Sequence, residues 1–86
     1  MTAQLIAAVT RGDDTPRRQA QAVLGRLTDR EREVAEAIGR GLSNADIARE
    51  LYLSVATVKT HVAHLFAKLD VTNRVQIAKY VHDAGS

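Results

Sequence analysis

The chain has 86 residues, 45% of them apolar but only three aromatic, with no cysteine and a formal net charge of +2. This length allows a single domain and argues against a deep enzyme cleft, and a core of Leu, Ile, Val and Ala suits packed helices. The lack of cysteine excludes a disulfide framework and a cysteine-based zinc site, which agrees with a reducing, cytoplasmic location. The longest apolar run, at 5–9, is far shorter than the ~20 residues that cross a bilayer, so we expect no membrane partner.

Residues 1–26 have the composition of a linker. The first ten positions hold a short apolar helical pattern, and the stretch RGDDTPRRQ that follows is rich in charge and contains the only proline. We therefore expect a linker helix followed by a flexible linker over 1–26, and a folded domain over 27–86.

The first helix of that domain is predicted over about 29–39. Thr28 and Glu31 have the spacing of a capping box, in which each side chain accepts a hydrogen bond from the other residue's backbone. Gly39, Arg40 and Gly41 supply the signals that end a helix. The apolar positions at helical spacing are Val34, Ala37 and Ile38.

Two further helices follow with the spacing of a helix-turn-helix. Ser43 is the expected cap of a short helix, and after about three residues of turn Ser54 is the expected cap of a longer helix over about 55–69. The predicted inner positions are Ile47, Ala48 and Leu51 on the short helix, and Val55, Val58, Val62, Leu65 and Leu69 on the long one. The outer face of the long helix has hydrogen-bond donors and no large apolar group, which suits a helix that enters the roughly 12 Å wide major groove of DNA.

A last helix is predicted over about 73–82, with Thr72 as its cap. Its inner stripe is expected to be Val71, Val75, Ala78 and Val81. Because Ile77 and Tyr80 lie partly off this stripe, their exposure would leave an apolar patch, and we assign Ile77, Tyr80 and Val81 to a two-fold dimer contact. The alternative is that Ile77 and Tyr80 pack against the first helix of the domain.

Three motifs carry a resemblance to a known family. LTDREREV at 27–34, GLSNADIA at 41–48 and TVKTHV at 57–62 resemble, in order and spacing, the LuxR/FixJ-type DNA-binding domain, and the resemblance covers essentially all of the chain after Arg26. It implies an all-α, four-helix helix-turn-helix bundle whose third helix is the recognition helix. It also implies binding to double-stranded DNA as a homodimer through the last helix.

The resemblance extends to the kind of protein from which such a domain comes. TAQLIAAV at 2–9 resembles the helix that joins a receiver domain to this domain in two-component response regulators. We therefore expect the chain to be the C-terminal output domain of such a transcription regulator, with the receiver domain and its phosphorylation site lying outside it.

The family's base-contacting positions fall on the long helix. Lys59 and Thr60 match positions that face base edges, so we expect Lys59 to contact guanine O6 or N7 and Thr60 to contribute its hydroxyl or methyl group. Ala63 matches a third such position, where alanine has only a methyl group to offer to thymine.

Phosphate contacts are expected near the helix N-termini, where backbone N–H groups favour anions. We assign them to Ser43, Asn44 and Thr57, with the alternative that Ser43 is a cap and nothing more. We also assign a phosphate contact to His61, which falls between the core stripe and the outer face of the long helix. Arg74 has three alternatives that the sequence leaves open, namely a pair with Asp70, a pair with Glu50, or DNA.

Other kinds of site have weaker support. His61 and His64 are spaced for metal ligation, but no third ligand accompanies them, so we expect neither a metal nor a cofactor. Glu33 is interpreted as structural, supporting the turn region. No nucleophile, carboxylate pair or glycine-rich phosphate loop points to an enzyme. The alternative function is a protein-interaction module that docks on RNA polymerase or a signalling partner.

Overall fold

The computed structural model describes residues 15–85, which form five α-helices and no β-strand. The helices are α1 at 15–24, α2 at Asp29–Gly39, α3 at Asn44–Leu51, α4 at Val55–Leu69 and α5 at Arg74–Gly85. The predicted all-α fold is confirmed, since α2 to α5 are the four expected helices. The helical pattern of the first ten positions lies outside the described residues. Within the described part, no helix is both long and apolar enough to cross a membrane.

The helix α1 occupies positions where the composition predicts a flexible linker. Its side chains Ala20 and Leu24 are buried. Arg32 Nη2 donates to the Leu24 carbonyl at 3.1 Å, and Gln21 Nε2 donates to the Ala84 carbonyl at 3.1 Å. Proline is compatible with the start of a helix because the first N–H groups have no helical partner, and the described part of α1 begins one residue before the proline. Residues 15–24 thus pack on the domain.

The caps of α2, α3 and α4 are those that the sequence predicts. Thr28 N donates to Glu31 Oε1 at 2.9 Å and Glu31 N donates to Thr28 Oγ1 at 3.2 Å, which completes the capping box. Ser43 Oγ accepts from the Asp46 N–H at 3.2 Å, and Ser54 Oγ accepts from the Thr57 N–H at 3.1 Å. These bonds set where the three helices start.

The predicted inner stripe of α5 is right at Val71, Ala78 and Val81, which pack on the core, and wrong at Val75. The helix starts at Arg74, and the Asn73 side chain, not Thr72, accepts from the Gln76 N–H, at 3.0 Å. Val71 therefore precedes the helix, so a helical period counted from Val71 wrongly places Val75 on the inner face. Val75 is 77% exposed and Ile77 is 0% exposed. The true inner face follows 3- and 4-residue spacing and consists of Arg74, Ile77, Ala78, Val81 and Ala84.

One core joins all five helices. Its completely buried large side chains come from α2, α3, α4 and α5, and they are Val34, Ile47, Val58, Leu65 and Ile77. The helices α2 and α5 approach closely at Gly39, where an added Cβ would lie 2.8 Å from Val81 Cγ1. His82 Nε2 lies 2.7 Å from the Gly39 carbonyl oxygen beside this contact. The absence of a side chain at Gly39 therefore sets the distance between α2 and α5.

Candidate nucleic-acid interface

The segment from α3 to α4 is a helix-turn-helix. The helix α3 ends at Leu51, Tyr52 adopts the left-handed conformation with φ of 58°, and α4 starts at Val55. The Leu53 N–H donates to the Ala48 carbonyl at 2.8 Å, and the Leu53 side chain packs on the core. The turn is thereby fixed by one backbone bond and one apolar side chain, and α4 is held in a defined direction from α3.

The helix α4 has one buried and one exposed face. The buried positions are Val58, Val62, Leu65 and Leu69. The exposed positions are Ala56, Thr57, Lys59, Thr60, Ala63, His64, Ala67 and Lys68. Val55, predicted to point inward, is 41% exposed because it lies at the very start of the helix. The exposed face has small or cationic side chains and no acidic one, so it is narrow and attractive to anions.

Lys59, Thr60 and Ala63 all lie on this exposed face. The Lys59 ammonium has no hydrogen bond or ion pair within 15–85, so it is free to contact a ligand. Thr60 Oγ1 donates to the Ala56 carbonyl of its own helix at 3.1 Å. Its hydroxyl hydrogen is thus used, which leaves the methyl group and an oxygen acceptor for an outside partner.

The positions assigned to phosphate differ in how their side chains are engaged. Ser43 is exposed, but its Oγ atom already accepts a hydrogen bond from the Asp46 N–H of its own helix. Thr57 Oγ1 lies 2.9 Å from Ser54 Oγ. His61 is half-buried, and its Nδ1 atom is enclosed without a hydrogen-bond partner in the described structure. Only Nε2 of that ring is left to contact a ligand. No group of three metal-ligating side chains occurs within 15–85.

Arg74 pairs with neither Asp70 nor Glu50, two of the alternatives that the sequence left open. Its Nη1 atom donates to Asn44 Oδ1 at 2.6 Å, and its Nη2 atom donates to the Leu42 carbonyl at 2.8 Å. The guanidinium therefore joins the start of α5 to the start of α3. Because the Asn44 oxygen is occupied, its amide NH₂ group is what remains to donate to an anion.

The acidic residue with a structural role is Glu31, not Glu33. The Glu33 side chain is exposed, and its Oε2 atom lies 3.5 Å from Arg30 Nη1. Glu31 is 4% exposed and accepts from Lys68 Nζ at 2.7 Å as well as from the Thr28 backbone. The hydrogen bond from Lys68 is the main cause that lowers the Glu31 pKa, and burial opposes it. Glu31 thus connects the start of α2 to the end of α4.

A second ion pair joins α3 to the residue that follows α2. Arg40 Nη1 donates to Glu50 Oε1 at 3.0 Å, and the second nitrogen of the guanidinium bonds the second carboxylate oxygen. This hydrogen-bonded pair lowers the pKa of Glu50 and raises that of Arg40. The ends of α3 and α4 are therefore each joined to α2 or to the residue that follows it, α3 through Glu50 and α4 through Lys68.

The expected dimer patch is partly wrong. Ile77 is in the core of the protomer and has no surface to offer. Tyr80 and Val81 are half-buried and pack on that core. The large apolar side chain that α5 leaves exposed is Val75. The reason is the orientation of α5, which sequence spacing alone misplaced.

Comparison with known proteins identifies the family. Residues 25–81 match the model of bacterial regulatory proteins of the luxR family. The chain is 41% identical over 85 residues to a putative HTH-type transcriptional regulator of Mycobacterium tuberculosis, a match over 99% of the chain and 10% of that protein. It is 45% identical over 56 residues to the transcriptional regulatory protein LiaR of Bacillus subtilis, covering 65% of the chain and 26% of LiaR.

A third relative is the CsgBAC operon transcriptional regulatory protein of Escherichia coli, 46% identical over 57 residues that make up 66% of the chain and 26% of that protein. The chain therefore spans between about a tenth and a quarter of the length of these relatives. The family match covers the helix-turn-helix and the helices that hold it. The chain belongs to the luxR family of bacterial regulatory proteins and is a non-enzymatic, DNA-binding transcription regulator domain.

Proposed function

We propose that α4 enters the major groove of double-stranded DNA and reads a specific sequence there. The observation that carries this proposal is the narrow exposed face of α4, on which Lys59 is unpaired and no carboxylate occurs. In this arrangement Lys59 contacts guanine, while Thr60 and Ala63 present methyl groups to thymine. Readout at Ala63 is weak, since one methyl group discriminates little.

The backbone contacts follow from the two helix starts that flank the groove. Ser43 and Asn44 lie at the start of α3, and Thr57 lies in the first turn of α4. In both places backbone N–H groups point outward at the positive end of a helix dipole. The Nε2 atom of His61 is the fourth donor that we assign to phosphate. These contacts position the domain and carry no sequence information.

We further propose that the domain acts as a homodimer through α5. Val75, the large apolar side chain that α5 leaves exposed, forms the centre of this contact, because Val81 already packs beside Gly39 inside the protomer. A two-fold contact there would place two copies of α4 about one DNA turn apart, near 10 base pairs. From the family resemblance we also propose that, in the whole protein, a receiver domain lies before the linker of residues 1–26, that phosphorylation controls the domain and that the protein is cytoplasmic.

The test is a fluorescence-anisotropy titration of the chain against a pool of random duplex DNA at low and moderate salt. We expect binding that weakens steeply with salt, because phosphate contacts release counterions. Sequencing of the retained DNA should show a repeat whose half-sites lie about 10 base pairs apart. Absence of binding at low salt would overturn the proposal and favour docking on a protein such as RNA polymerase.

A further inference from the structure

Tyr52 is the most exposed large hydrophobic side chain of the described structure. It is 94% exposed and has no hydrogen bond within 15–85. Its backbone is left-handed, with φ of 58°, a conformation in which glycine or asparagine is more comfortable than a bulky residue. The aromatic ring therefore contributes nothing visible to the fold, and its backbone conformation is unfavourable for it.

The turn holds Tyr52 in place rather than letting it move freely. The Tyr52 N–H donates to the Ala48 carbonyl, as does the N–H of Leu53, and the Leu53 side chain packs on the core. Because the residue after Tyr52 is anchored inward, the Tyr52 side chain is directed away from the core. Because the backbone is already fixed and a tyrosine has only two side-chain torsions to order, Tyr52 can bind a partner at a low cost in conformational entropy.

The position of Tyr52 indicates which partner this is. It lies two residues before Ser54, the cap of α4, so its Cα is within about 8 Å of that cap. Tyr52, Val55, Ala56 and Lys59 are all exposed, and the first turn of α4 has no acidic residue. When a recognition helix lies in the groove, the chain just before it borders the sugar–phosphate backbone.

We infer that Tyr52 is an additional DNA-contacting residue, whose hydroxyl donates to a backbone phosphate and whose ring packs on the adjoining sugar. The inference rests on the proposed entry of α4 into the major groove. It adds a neutral contact to a surface otherwise dominated by cations and helix N-termini. It also gives a reason for a tyrosine at a left-handed position.

The test compares Tyr52→Phe, which removes only the hydroxyl, and Tyr52→Asn, which removes the ring and suits the left-handed backbone. Against a selected duplex, we expect Tyr52→Phe to weaken binding about three- to tenfold and Tyr52→Asn to weaken it more than tenfold. Because tyrosine is neutral, neither variant should change the slope of affinity against salt, whereas Lys59→Ala should reduce it by about one.

Two further measurements separate binding from folding. The melting temperature of the free Tyr52→Asn variant should equal or exceed that of the parent, since the Tyr52 side chain makes no hydrogen bond within 15–85 and asparagine suits the left-handed backbone. With 3-fluorotyrosine the chain gives two ¹⁹F signals, one for each tyrosine, and Tyr80→Phe assigns them. The Tyr52 signal should shift on addition of duplex DNA.

Parent-like affinity of both Tyr52 variants, or an unmoved Tyr52 signal, would overturn the inference while leaving DNA binding by α4 intact. A lowered melting temperature that accounts for the lost affinity would also overturn it. Failure of the parent chain to bind any duplex would instead remove the proposed function itself, so the two failures are distinguishable.

Discussion

Lys68 Nζ lies 2.7 Å from Glu31 Oε1, which joins the last turns of α4 to the first turn of α2 across 37 positions of sequence. The same carboxylate accepts the Thr28 N–H and lies 3.9 Å from His64 Nδ1. A capping residue therefore also anchors the helix that we place in the DNA groove. The capping box and the direction of α4 depend on one side chain.

The Glu31 carboxyl makes the stability of the fold depend on pH in the acidic range. Its pKa in the folded chain is below the ordinary value of 4.5, chiefly because Lys68 donates to it. Its stabilising contribution is therefore present above about pH 4.5 and is lost as the pH falls through the lowered pKa. Glu31→Gln should lower the free energy of unfolding at pH 7 by about 1–3 kcal/mol and flatten the decline below pH 4.5. Urea unfolding at a series of pH values measures both.

Glu33→Gln is the matched control, because Glu33 is an exposed carboxylate two positions away on the same helix. It should leave the stability and its acid dependence nearly unchanged. If both variants lost stability equally, Glu31 would have no special role.

Lys59→Ala should weaken binding to the selected duplex by about 1–3 kcal/mol and relax the preference at one base pair. Repeating the sequence selection with the variant identifies which position relaxes. Lys79→Ala is the control, since Lys79 is an exposed lysine on α5, paired with Asp83 and away from α4. Equal losses for the two lysines would mean that Lys59 acts only through net charge.

Gly39→Ala should destabilise the domain by about 1–3 kcal/mol, because the new Cβ overlaps Val81 and forces α2 and α5 apart. Gly85→Ala, in the last turn of α5 with open space around it, should be nearly neutral. Combining Gly39→Ala with Val81→Ala should cost less than the sum of the two single changes. Thermal unfolding of the parent, the Gly39→Ala and Val81→Ala variants and the double variant measures this coupling. Strictly additive losses would refute the overlap between the new Cβ and Val81.

Arg74→Lys should destabilise the domain by roughly 1–3 kcal/mol although the charge is kept, because an ammonium lacks the planar fork that bonds Asn44 and the Leu42 carbonyl together. It should also weaken DNA binding, since Asn44 loses the bond that orients it. Urea unfolding and duplex titration measure the two effects. Arg49→Lys, at an exposed arginine on α3, should leave the stability unchanged. Full stability of Arg74→Lys would show that one of its two bonds is enough.

Val75→Glu should weaken self-association of the chain, because it places a charge in the apolar contact proposed on α5, while the folded protomer tolerates it at a position 77% exposed. Sedimentation with and without a two-site duplex measures this. Gln19→Glu, an exposed change on α1, controls for added negative charge. Parent-like dimers of Val75→Glu would move the dimer contact away from α5.

The helix starts were predictable because their signals are local. Thr28, Ser43 and Ser54 each satisfy an N–H three residues ahead, and the α4 stripe repeats over four turns. The orientation of α5 was not predictable from Val71, because the period does not continue across a non-helical turn.

The missed polar contacts depend on the tertiary fold. Glu31 and Lys68 are 37 positions apart, and Arg74 and Asn44 are 30 apart. No periodicity connects such pairs. Sequence spacing therefore could not choose a partner for Arg74, and it assigned the structural role to Glu33. The helix α1 was missed because charge and one proline resemble a linker, whereas Ala20 and Leu24 are its buried positions.

The position of α1 matters for anyone who divides this chain into smaller pieces. The family match begins at residue 25, directly after the buried side chain of Leu24. A fragment cut at that boundary would lack the Leu24 carbonyl that accepts from Arg32 and the Gln21 side chain that donates to the Ala84 carbonyl. It would also expose apolar surface on α2 and α5 to water. The packed domain therefore extends beyond the N-terminal end of the family match, and expression of this domain should begin no later than residue 15.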